Sequence, residues 1–109
     1  MNQEWKEKWV AALRSGEYKQ TRHVLRNITP ENEGFCCLGV LCDLWDNKAW
    51  DEVKGTGTRM SFQGWEEGIP TPVREVVGLK LHHAQELVDM NDNKGRSFGE
   101  IADHIEANL

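Results

Sequence analysis

A chain of 109 residues with a net charge of −5 and 28% charged side chains has room for one domain, residues 1–109, around a single core. The acidic balance argues against electrostatic binding to long nucleic acid, and the longest apolar run is about half of what a membrane span needs. Three cysteines, an odd number with two adjacent, argue against a disulfide framework. No leader-like segment precedes Trp5, so a soluble chain in a reducing cytoplasm is expected.

In chain order, Trp5, Trp9, Ala12 and Leu13 fall on one face of a predicted first helix that Gly16 stops. Residues 17–23 are polar and predict a loop entering an extended segment, Arg22 to Ile28, with a turn over Thr29–Gly34. The run Phe35–Trp45 follows, apolar or thiol-bearing at nine of eleven positions. It is apolar around most of a helical circumference, as a central helix covered on several sides would be. A strand over residues 35–38 ahead of that helix fits the short apolar run equally well. Gly39 costs helix stability but allows another backbone to approach closely.

Residues 46–69 carry four glycines and a β-like piece, Arg59–Phe62, between Trp50 and Trp65. They predict an irregular or β insertion, either a small hairpin or a long functional loop. Thr71 as N-cap and Pro72 at the first helical position predict a short helix, Pro72–Val77, that Gly78 closes. Leu81 to Met90 predicts another helix with Ala84, Leu87 and Val88 inward, and Asn91–Gly95 a turn. Ser97 and Glu100 form a capping box that starts a last helix, with Phe98, Ile101, Ala102 and Ile105 buried. The expected fold is therefore α+β: a compact, helix-dominated single domain around a central apolar helix, with a small β-hairpin or sheet.

Charge is uneven along the chain. Residues 1–26 carry +3, residues 27–83 carry −4 and residues 84–109 carry −4. Arg14, Lys19, Arg22 and Arg26 concentrate the positive excess, which suits a small anion, or docking onto the acidic end of a second copy. In Tyr18–His23, cations, a phenol and hydrogen-bonding side chains interleave. Arg22 and Arg26 can bind phosphate in bidentate fashion and Tyr18 can stack on a base; the bland alternative is a solvated loop.

Metal and acid–base chemistry have weaker signatures. Cys36, Cys37 and Cys42 lack the paired short spacing of zinc sites, and on a helix Cys37 and Cys42 point about 140° apart. They fit as small core hydrophobes, with no metal and no cofactor implied. Asp89, Asn91, Asn93 and Glu100 sit at EF-hand positions, but Lys94 replaces the required glycine. His82-His83-x-x-Glu86 has acid–base residue types without a nucleophile pairing. Trp50 and Trp65 are the tryptophans that helical packing does not explain, and they suit ligand stacking or a protein interface.

The block Phe35-Cys36-Cys37-Leu38-Gly39-Val40-Leu41-Cys42-Asp43, preceded by Trp9-Val10-x-Ala12-Leu13-Arg14-Ser15-Gly16-x-Tyr18-Lys19-Gln20, resembles a widespread family of small phage and prophage proteins. The segment from Leu87 to Glu106, with Met90-Asn91-Asp92, Gly95 and Ser97-Phe98, is similar to the same family's ending. That family in turn resembles the phage sponge proteins that counter CBASS-type immunity by sequestering cyclic dinucleotides. The resemblance implies a non-enzymatic, homo-oligomeric binder in the cytosol of an infected bacterium, but transfers no binding residues. On physical grounds Lys19, Arg22 and Arg26 would hold phosphate and Tyr18 or Trp65 would stack. Gln20, Asn91 or Asp92 would read base edges, although the last two equally shape the turn before Ser97. Two rivals stand beside this expectation: an inhibitor of a host protein acting through residues 46–69, and a small enzyme using His83 and Glu86.

Overall fold

The computed structural model describes residues 1–109 and places nine elements in chain order. They are α1 (Gln3–Arg14), β1 (Arg26–Asn27), β2 (Gly34–Phe35), α2 (Cys37–Trp45), β3 (Trp50–Glu52), β4 (Arg59–Phe62), α3 (Thr71–Val77), α4 (Leu81–Asp92) and α5 (Phe98–Asn108). The fold is α+β, with five helices against one four-stranded antiparallel sheet of order β2-β1-β4-β3. No helix is long and apolar enough to cross a membrane.

The Phe35–Trp45 run divides between two conformations. Gly34 and Phe35 pair with Asn27 and Arg26 as a strand, and the helix begins at Cys37. The backbone switches at Cys36, whose thiol sulfur acts as the N-cap and accepts from Gly39 N. Residues 37–42 are all buried, as expected of a central helix. Gly39 is where Leu25 crosses it: a Cβ there would stand 2.0 Å from Leu25 O. The close approach anticipated from sequence is thus the contact that seats the chain entering β1 on α2.

The 46–69 insertion is a β-hairpin rather than a free loop. Trp50, Asp51 and Glu52 pair with Phe62, Ser61 and Met60, and β4 then joins the hairpin to β1 through Met60↔Arg26 and Arg59↔Asn27. Strand alternation sends Trp50 and Phe62 to the same face, where both are buried. The expectation that Trp50 flanks the insertion as a free aromatic is corrected here: it is core. The extended segment expected over Arg22–Ile28 shrinks to Arg26–Asn27, because only these two residues find ladder partners.

Side-chain caps start α1 and α5. Helix α3 begins at Thr71 itself, with Pro70 rather than Thr71 in the cap position, and neither α3 nor α4 has a side-chain cap bond. Asn2 accepts from Trp5 N, Gly78 ends α3 at φ 72°, and Ser97 with Glu100 makes the reciprocal capping box. Trp9, Leu13, Ile101 and Ile105 are buried as α1 packs along α5. Arg14 then reaches Asp103 at 2.7 Å and Glu106 at 3.1 Å. The basic start and acidic end, which suggested docking between copies, therefore meet within one chain.

Candidate functional site

The polar loop between α1 and β1 is the segment richest in candidate residues, and a buried amide clasps it to α4. Asn91 is fully buried near the end of α4 rather than in the expected turn. Its Nδ2 donates to Thr21 O at 2.9 Å and to Asp92 Oδ1 at 2.8 Å. Its Oδ1 accepts from Gln20 Nε2 at 2.9 Å and from Cys37 N at 3.3 Å. Gln20 Nε2 also donates to Arg96 O, and His23 N donates to Asp92 Oδ1. That last bond pins His23 at φ 73°, a conformation rare outside glycine. Three predicted site residues, Gln20, Asn91 and Asp92, are thus brought together from distant parts of the chain, but they bond to one another and to backbone. The spacing Ala84, Leu87, Asn91 places the amide on the inward stripe of α4, a signal that was present in the sequence.

Tyr18 and Arg26 belong to a different neighbourhood. Tyr18, Phe35, Trp50 and Phe62 form an edge-to-face ladder with ring centroids 5.1, 5.8 and 5.1 Å apart. Asp43 of α2 accepts from Tyr18 Oη at 2.6 Å and from Trp50 Nε1 at 3.0 Å. Desolvation first, then the Asp43 carboxylate, push the Tyr18 phenol well above its ordinary range. The Arg26 guanidinium lies over Phe35 at 4.9 Å and Trp50 at 5.5 Å. Tyr18 is half-buried with its hydroxyl engaged, so its ring is edge-packed on Phe35 rather than presented as a stacking platform.

The remaining three predicted residues line open polar cavities that meet at His23. One, of about 650 Å³, has Lys19, Arg22 and His23 among its walls, with Asn27, Glu31 and Glu33 also lining it. The second, of about 640 Å³, is lined by His23, Arg59, Gln63, Trp65, Glu66 and Glu67. Lys19 and Arg22 make no ion pair within the chain, whereas Arg59 holds Glu66 at 2.6 Å. Trp65 is 43% exposed, the one tryptophan left free. Cations, carboxylates and a free indole around neighbouring cavities suit a ligand carrying both phosphate and base N–H groups. Asn27, Glu31, Glu33 and Arg59 escaped the sequence reading, because the turn before Gly34 and the hairpin reach the loop only in three dimensions.

The other chemistry-bearing groups are accounted for elsewhere. Cys36, Cys37 and Cys42 are free and buried. Burial pushes the Cys36 thiol up to about 12 and raises the other two likewise. No cluster of three or more His, Cys, Asp or Glu side chains is placed to hold a metal ion. Asp89 and Asn91 lie within α4, and Asn93, its C-cap residue, bonds back to Asp89. Glu86 contacts His104 rather than His83, and His83 stacks on His82. Desolvation, then His82, hold His83 below the ordinary imidazole range.

Among curated proteins and solved structures, none matches the chain. One family model does, over residues 1–83, a span that includes the cysteine block, the clasped loop and both polar cavities apart from their α4 anchor. The chain belongs to that family, described as a domain of unknown function, DUF8296.

Proposed function

We propose that this is a phage-encoded, non-enzymatic binder that sequesters a cyclic dinucleotide in the host bacterial cytosol and so counters anti-phage defence. The observation that carries the reading is the pair of polar cavities that share His23 as a wall, with unpaired Lys19 and Arg22 in one and exposed Trp65 in the other. Lys19 and Arg22 hold phosphate, Trp65 stacks on a base, and Glu31 or Glu33 accepts from base N–H groups. Gln20, Asn91 and Asp92 act as positioning residues that keep the loop in shape, and Arg26 and Tyr18 support it from the aromatic ladder. A second copy completing the cage around a near-two-fold ligand fits this reading.

Calorimetric titration of the purified chain with a panel of cyclic dinucleotides tests it. Saturable heat with at least one of them is expected, weakened about tenfold by Arg22→Ala. Absence of heat at micromolar concentrations with every member of the panel would overturn it. The inhibitor reading draws on one specific observation, the exposure of Trp65 beside exposed Leu81. It predicts that Trp65→Ala abolishes biological effect while Arg22→Ala is silent.

A further inference from the structure

A third concavity lies on the other side of Trp65 and has the opposite character. Buried Leu38, Ile69 and Ala84 form its base, and Trp65 and Leu81, 43% and 57% exposed, stand at its rim. It encloses about 250 Å³ between α3, α4 and the segment after β4. Arg74 is the one charged residue in its lining. Its Nη1 donates to Leu79 O at 3.0 Å, which fixes the guanidinium at the end of α3. No carboxylate of the chain pairs with it.

Water in such a groove finds few hydrogen-bond partners, so an apolar body displaces it readily. A fixed, unpaired guanidinium at the edge of an apolar wall then selects for an anionic head. The groove is small, which matches a short chain rather than a long lipid. We propose that the groove binds a small amphiphilic monoanion, a carboxylate on a short unbranched apolar chain. This site is separate in chemistry from the polar cavities and does not depend on the nucleotide reading.

Octanoate and octan-1-ol are the probes, titrated against the full chain while backbone amide resonances are followed. Octanoate should saturate with shifts centred on Leu38, Ile69, Ala84 and Val88, and octanol should bind the same place about tenfold more weakly. Arg74→Gln should bring octanoate down to the octanol level and leave octanol binding unchanged, which shows that the groove is intact. Equal affinity of the two probes for the parent chain would overturn the proposal, as would an octanoate affinity indifferent to Arg74→Gln. Failure of both probes, with concentration-dependent self-association that Leu81→Glu removes, would overturn it in favour of a second copy as the occupant.

Discussion

Asn91 uses all four of its hydrogen-bonding positions inside the protein, and no buried side-chain polar atom of the molecule lacks a partner. Asn91→Leu would strand Thr21 O and Cys37 N and remove one of the two bonds of the Gln20 amide, at a cost of about 3 kcal/mol. A urea midpoint within error of the parent would contradict the clasp. The ionisable core makes a second residue-scale prediction. Folded Cys36, Cys37, Cys42 and Tyr18 all have raised pKa values, so the folded state keeps protons that the unfolded state releases. Their contribution is fully present below the unfolded thiol range and is lost as pH rises above it. Stability should therefore fall from about pH 9 upward, with a limiting slope of about 1.4 kcal/mol per pH unit for each such group. Chemical denaturation between pH 8 and 11 checks this, and a flat profile would contradict it.

Helix α2 depends on one missing methyl group. By intrinsic propensity Gly39→Ala should gain about 1 kcal/mol. The 2.0 Å approach of the new Cβ to Leu25 O decides the sign instead, since neither backbone can yield without unseating β1 or α2. A loss of about 3 kcal/mol or more is expected in thermal or denaturant unfolding. At α5 the effect is smaller. Ser97→Ala removes the hydroxyl that accepts from Glu100 N and should cost about 1 kcal/mol. Both positions stood out from sequence because their causes are local, a glycine in an apolar helix and a Ser-x-x-Glu start. The hairpin was half legible. Its β4 strand was expected at Arg59–Phe62, between the glycines of the insertion, but the burial of Trp50 required its partner Phe62.

At the scale of the whole molecule, the family match ends at residue 83 while the core does not. Ala84, Leu87, Met90, Phe98, Ile101, Ala102 and Ile105 supply seven of its 23 buried apolar residues. They cover Trp9 and Leu13 of α1, and Asn91 anchors the loop that shapes the polar cavities. A fragment of residues 1–83 should therefore lack a cooperative unfolding transition by circular dichroism. A sharp transition would show that the matched span folds alone. The Arg14 pairs with Asp103 and Glu106 contribute little to this closure. Arg14 is 40% exposed and its partners more so, and high salt should leave stability almost unchanged.

Residue order alone determined the helices, the Ser97 capping box, the burial of the cysteine block and the α+β class, because each rests on periodicity or on spacings of three or four residues. Tertiary structure alone decided which polar residues stay available. Gln20, Asn91, Asp92 and Tyr18 have the chemistry of ligand contacts, and distant partners occupy them. Lys19, Arg22 and Trp65 have none and remain open. A side chain's type fixes what it can bond to, but its partner is set by whatever long-range packing brings within 3 Å.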